Sequence, residues 1–266
     1  MSTTISEHLK KAEEALQAGQ IDEAEAMFGA LLDNDMELDS EQKGRAIAGR
    51  GVIRYHRGHF DAATVDLREA LALLETASGG EAAVTASAKM FLARTLVAKG
   101  ENMPGCTLGH EALKTLEAAL PEDAPLIAEA CFLLSQAEYQ LNDLTTAEAL
   151  TRRAMTIWEK VHGPEWFGIS TCLNNLGRIY EERGLPAEGI NFHRQALALR
   201  LKLLGDHEET AFSLGNLGTA LAANKQWQEA AQVLEECLAC YAKAGTKDGF
   251  KVEGYRRNLE ICLQSA

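Results

Sequence analysis

Apolar residues along the 266-residue chain recur at spacings of three and four and are interrupted by short polar turns. That spacing places them on one face of a helix. The turns are Ala18-Gly19-Gln20, Arg57-Gly58-His59, Lys99-Gly100-Glu101, Leu141-Asn142-Asp143, Arg183-Gly184-Leu185 and Asn224-Lys225-Gln226. Their central residues follow one another at intervals of about 42 residues, so the chain reads as an internal repeat. Each turn joins two amphipathic helices. The first helix carries Leu173-x2-Leu176-Gly177-x2-Tyr180 in one unit and Leu214-x2-Leu217-Gly218-x2-Leu221 in the next. Past the turn come a small residue and, four later, a larger one: Ala24 and Phe28, Ala63 and Leu67, Ala230 and Leu234. A further small slot holds Ala70, Ala112, Ala154, Ala196 and Cys237. Small residues let paired helices approach, and large ones fill the space beside them.

One hairpin cannot bury its own apolar face, so successive hairpins must stack. The expected fold is all-α, a right-handed α-α superhelix of six helical hairpins closed by a C-terminal capping helix. The units span about 5–39, 40–80, 81–123, 124–165, 166–207 and 208–247, within a single repeat domain covering 1–266. The capping helix lies at about 250–264, where Val252, Tyr255, Leu259 and Cys262 make an apolar stripe. Two units are irregular. Pro104 can sit in the first turn of a helix, where its missing N–H costs little. Gly105 and Gly109 fill that helix's small and large slots, so it should be short or loosely packed. In the second unit Arg50 and Arg54 stand where Leu and Tyr are expected.

The Leu-Gly signature matches the tetratricopeptide pattern W-x2-L-G-x2-Y, with Leu in the Trp slot. Ser170–Tyr180 resembles the first helix of kinesin light chain repeats, and Leu197–His207 resembles their long second helix and exit loop. The chain thus resembles long-repeat, kinesin-light-chain-like tetratricopeptide proteins, most clearly over about 160–245. Glu208 departs from that family, which places Pro there, and no heptad coiled coil is present. The resemblance implies a concave face lined by the first helices, serving as a peptide-binding groove. Carried over slot by slot, its candidate residues are Arg45, Tyr55, Arg94, Gln136, Tyr139, Asn174, Asn175, Arg178 and Asn216. His56, Met90, Phe91, Phe132 and Thr219 occupy related slots, with Phe91 and Phe132 expected in the core. An Asn amide donates and accepts, so it can pair with a ligand's backbone. Arginines add carboxylate recognition, and Met90, Phe91 and Tyr139 can seat an apolar side chain.

Composition narrows the partners. The chain is 46% hydrophobic and 24% charged, with a formal net charge of -13 and a pI near 5.1. Its Lys and Arg residues are dispersed among more numerous acids, which disfavours nucleic acid and anionic membranes. Residues 1–8 lack the basic and apolar regions of a secretory signal, no apolar run suits a membrane span, and the six cysteines sit in helical contexts. A cytoplasmic protein with free thiols is expected. Cys237-x2-Cys240 has no second pair at zinc spacing, and His56-x2-His59 straddles a turn without a third ligand. No metal or cofactor is expected. P-loop, H-E-x-x-H, G-x-S-x-G and dinucleotide fingerprints are all missing, so the expected function is non-enzymatic. The expectation is a scaffold or adaptor, monomeric, holding a protein or peptide partner through an acidic and hydrophobic segment. The alternatives are a self-assembling structural repeat protein or a regulatory domain that sequesters a signalling protein.

Overall fold

A computed structural model describes residues 2–33, 37–77, 82–246 and 249–266, the side chains of residues 2–4 excepted. The expected boundary between the second and third units, near residue 80, and the expected end of the sixth at 247 lie outside the described residues. Among the described residues there are thirteen helices and no strand, an all-α fold. The chain forms two compact units, Met1–Leu141 and Asn142–Ala266.

The first unit contains α1 (Ser2–Gln17), α2 (Ile21–Asp33), α3 (Ser40–His56), α4 (Phe60–Thr76), α5 (Ala82–Ala98), α6 (Asn102–Ala119) and α7 (Pro125–Gln140). The second contains α8 (Leu144–His162), α9 (Phe167–Glu182), α10 (Pro186–Leu204), α11 (Glu208–Ala223), α12 (Trp227–Lys243) and α13 (Phe250–Ser265). In both, short turns at residues 18–20, 57–59, 99–101, 183–185 and 224–226 fold a helix back on the one before it.

The turns show why the repeat register is so regular. Gly19, Gly58, Gly100, Asn142, Gly184 and Lys225 have φ between 61° and 83°. A left-handed residue at this point ends the first helix and lets the freed N–H groups reach its last carbonyls. His59 N thus donates to Arg54 O, and Gln226 N to Leu221 O. Glycine adopts this conformation without a Cβ penalty. Asn142 tolerates it, whereas Lys225 carries the ordinary steric cost. Elsewhere side chains cap the helices. Asp39 Oδ1 accepts from Gln42 N at 2.8 Å, while Gln42 Oε1 accepts from Asp39 N at 3.2 Å. Asp143 caps α8 through Thr146 N.

The small and large slots meet as the periodicity requires. Ala24, Phe28, Ala63, Leu67, Ala230, Leu234 and Cys237 are all buried. The third hairpin differs from expectation. α6 runs the full eighteen residues from Asn102 to Ala119, with Pro104 in its first turn. It is also closely packed. A Cβ on Gly105 would come within 2.6 Å of Val97 and 2.8 Å of the Ala93 carbonyl. Two glycines here allow a close helix approach instead of leaving a gap, and Leu134 of α7 sits over Gly109.

The irregular Arg50 and Arg54 have a shared explanation. Both reach Asp66 of α4, at 2.9 and 2.8 Å, and Asp66 is buried. A buried carboxylate needs charged partners, and two arginines one turn apart on α3 supply them.

Within the first unit, α1 contacts α3, α3 contacts α5 and α5 contacts α7, whereas the described parts of α2, α4 and α6 do not contact one another. In the second unit, α9 meets α11 and α11 meets α13 in the same way. The odd-numbered helices therefore form the inner layer of each unit.

Candidate functional site

The inner layer of the first unit borders an open cavity of about 870 Å³, which Phe28 of α2 also lines. Small residues line it on three helices, Ala48 and Gly49 of α3, Ser87 and Ala88 of α5, and Ala130 of α7. Larger apolar side chains line it too: Leu16 of α1, Val52 of α3, Val84, Met90 and Phe91 of α5, Leu116 of α6, Leu120 just past its end, and Leu126 and Leu133 of α7. Polar groups enter it as Glu13 and Gln17, Arg45, His56 and Glu129. A cavity of this size with few polar groups has the make-up of a ligand site.

Arg45, Met90, Phe91 and His56, all groove candidates from the sequence, meet in this cavity. Arg45 is held in place by Glu13 of α1, its Nε and Nη2 donating to the two carboxylate oxygens at 2.9 and 2.7 Å, with Glu41 at 3.7 Å. Its charge is thus already answered within the unit. Phe91 is half-buried and packs on the core cluster of Leu67, Leu71 and Leu92 while lining the cavity.

Tyr55 and Arg94 form a second group beside it. The Arg94 guanidinium carbon lies 4.7 Å from the centre of the Tyr55 ring, a cation–π stack. The same ring meets His56 edge-on at 5.6 Å and Phe60 at 5.5 Å. Burial and then the nearby Arg94 charge push His56 below its ordinary value, since both disfavour a protonated imidazole. Gln136 and Tyr139, in the C-terminal half of α7, are half-buried and do not line the cavity.

The remaining candidates belong to the second unit. Asn174 is an interior residue, 3% exposed. Its Nδ2 donates to Ser213 Oγ of α11 at 2.9 Å, and its Oδ1 faces His193 Nδ1 of α10 at 3.0 Å. The other ring nitrogen of His193 lies 3.0 Å from Glu181. His193 fills the large slot of its repeat and rests on Gly177, where a Cβ would lie 2.5 Å from the ring. Asn174 thus joins three helices, and its amide is spent on that task. Asn175, one residue on and about 100° around the helix, is half-buried, as is Asn216 of α11. The Nδ2 of Asn216 is buried without a partner. Arg178 is exposed, and Thr219 accepts from Asn258 of α13 at 3.1 Å.

Sequence reasoning missed Glu13, Leu16 and Gln17 of α1 and the N-terminal half of α7. A usable signal existed for α1. Glu13 and Gln17 stand at the same distances from the turn at Gly19 as Val52 and His56 do from Gly58. No comparable signal marks Leu116 and Leu120, which reach the cavity from the end of an outer helix.

Among the described residues, no group of three or more His, Cys, Asp and Glu is placed to hold a metal ion, and no helix is long and apolar enough to cross a membrane. All six cysteines are buried. Burial pushes the Cys172 and Cys237 thiols up to about 12, which removes the thiolate that nucleophilic chemistry needs. Cys237 Sγ instead donates to the Ala211 carbonyl.

Solved structures share the fold. BtubC (BKLC) from P. vanneervenii is 20% identical over 93% of each chain, with a TM-score of 0.67. The nearly identical kinesin light chain TPR-like repeats of Podosopora anserina are 21% identical over 79% of this chain and 99% of that one, with a TM-score of 0.67. A Rap protein complexed with Competence and Sporulation Factor covers 99% of this chain and 86% of its own at 13% identity, with a TM-score of 0.71. Likeness at these identities concerns the fold, which is that of kinesin-light-chain-type helical repeats. No functionally curated protein matches the sequence. Two family models, each described as tetratricopeptide repeat, match residues 127–202 with 183–243 and residues 9–64, together more than half of the chain. The chain belongs to the tetratricopeptide repeat family.

Proposed function

We propose that this protein is a non-enzymatic interaction scaffold that holds a polypeptide segment of a partner protein against the inner helices of its first unit. The carrying observation is the cavity of about 870 Å³ between α1, α3, α5 and α7. The small residues in its lining leave room for main chain, and its Leu, Val, Met and Phe side chains suit apolar partners. A protein of similar fold, the Rap protein, is seen complexed with Competence and Sporulation Factor, which supports a binding role for this class of repeat. The half-buried amides of Asn175 and Asn216 offer the second unit's inner face a way to pair with main chain, whatever its sequence.

A Ser87→Trp variant tests the reading, because Ser87 is half-buried in the cavity lining and an indole there would intrude on the cavity. The wild-type chain should select apolar peptides from a displayed random library. The variant, with an unchanged melting curve, should lose at least about tenfold in affinity for them, equivalent to about 1.4 kcal/mol. Undiminished binding by a folded Ser87→Trp variant would sink the assignment.

Self-assembly is the second reading, and one observation favours it. Phe250 is 89% exposed on α13, and Ile261 and Leu263 of the same helix are also exposed. Light scattering at rising concentration decides between them, with a constant monomer mass counting against assembly.

A further inference from the structure

His56 stands apart among the polar groups that line the cavity. Arg45 and Glu13 answer each other there, whereas His56 has the Tyr55 ring against it, edge-on at 5.6 Å. It is the last residue of α3, one turn beyond Val52, and both line the cavity together with Gln17 of α1 and Phe91 of α5. An imidazolium in apolar surroundings needs an acid beside it or water around it. Among the acids of the helices packed on α3, Glu13 of α1 holds Arg45, and Asp22 and Glu25 of α2 hold Arg57. Asp66 of α4 holds Arg50 and Arg54, and Asp61 of α4 meets Lys99. Glu129 of α7 also lines the cavity, and His59 lies exposed in the turn that follows α3. The charge that acts on His56 is that of Arg94 on α5, of the same sign as a protonated ring. Hydration from the open side of the cavity is then what makes a charged His56 tolerable, and the ring is still partly exposed.

We propose that the cavity holds an apolar segment against the neutral form of His56 and releases it on acidification. This rests on the peptide-binding reading above. A bound apolar segment displaces the water that hydrates the ring and brings no acceptor in its place. Burial, and then the Arg94 charge, already push the free imidazole below its ordinary value, and the bound segment pushes it further the same way. A group lowered on binding favours the complex in its unprotonated form. Affinity is therefore full above the value of the free ring and falls as pH drops through it, which lies below about pH 6.5. In that range complex formation releases protons to the solvent.

The experiment uses a displayed random library built without Asp, Glu, His, Lys or Arg and flanked by linker, so that no peptide group titrates. The intact wild-type chain selects peptides at pH 8. Synthetic copies with blocked ends are then measured from pH 8 to pH 5, with the helical circular dichroism of the protein constant throughout. Affinity should stay level to about pH 7 and fall about threefold or more by pH 5. His56→Gln, which no proton can charge, should show the same affinity at both ends of the range, whatever its level. Calorimetry of the wild-type chain near pH 5.5, in two buffers of different ionisation enthalpy, should show proton release on binding. That arm needs no variant, so misfolding of His56→Gln cannot shield the proposal. A level wild-type profile, proton uptake in place of release, or a fall that survives in folded His56→Gln overturns the inference and leaves the scaffold reading standing. Failure to select any apolar peptide at pH 8 overturns both.

Discussion

Glu148 of α8 gathers three donors. Its Oε1 accepts from Arg152 Nε at 2.8 Å and from the Tyr180 hydroxyl at 2.9 Å, and its Oε2 accepts from Arg183, which also donates to the Leu144 carbonyl. Burial alone would raise the Glu148 carboxyl, but the donors together outweigh it and hold it below the usual carboxylate range. A depressed folded-state value contributes stability above the unfolded-state value, and that contribution disappears as pH falls through the folded one. Glu148→Gln should therefore lower the urea midpoint at neutral pH by an amount equivalent to about 1–2 kcal/mol. The gap from wild type should close progressively below about pH 4. Urea melts of both proteins across the acid range check this, and a gap constant with pH would contradict it. Arg200 shows a different balance at the same scale. It is 1% exposed, yet its donors meet Ser170 Oγ, Thr171 Oγ1 and the Glu209 carbonyl, with the Glu209 carboxylate 3.1 Å away. Nothing in its surrounding sequence separates it from a surface arginine, because its partners lie on other helices. Asn174 and Asn175 make the same point. A step of one residue turns the side chain by about 100°, so the first bonds within the interior and the second stays half-buried.

At the level of the element, helix ends carry the most readable chemistry. Six turns predicted from sequence all have their central residue at positive φ, and the reason is local: a helix reversed within three residues needs one left-handed step. Lys225 pays a steric cost there that glycine avoids. Lys225→Gly should raise stability by about 1 kcal/mol, visible as a higher thermal midpoint with binding unchanged. An unchanged or lower midpoint would show that the Lys225 side chain contributes more than its backbone costs. α6 shows how such reasoning fails. Glycines in both packing slots suggest a weak helix, since each costs about 1 kcal/mol against Ala. Close approach to α5 and the seating of Leu134 over Gly109 replace the missing side-chain contacts with contacts from neighbours. Tertiary packing overrides propensity here, and propensity is all that a local pattern can report.

Across the whole molecule, each described helix contacts only helices one or two places away along the chain. Stability in such an array is a sum of local terms, so damage should stay local. Gly177→Ala would force a methyl group to within 2.5 Å of the His193 ring, at a cost of about 1–3 kcal/mol. Hydrogen exchange should then quicken in α9, α10 and α11 and remain unchanged in α1 to α5; a uniform loss of protection would refute local coupling. The periodicity of apolar and small residues by itself determined the helices, their turns, the 42-residue repeat and the all-α class, because those depend on residues within one or two turns of one another. The packed structure alone decided that Asn174 bonds in the interior, that Asp66 answers Arg50 and Arg54, and that an apolar cavity opens in the first unit. Among the described residues of that unit, it also left Arg94 part-buried without an ion pair. These outcomes depend on which helix faces lie opposite each other, and that is set by the summed packing of residues far apart in the chain.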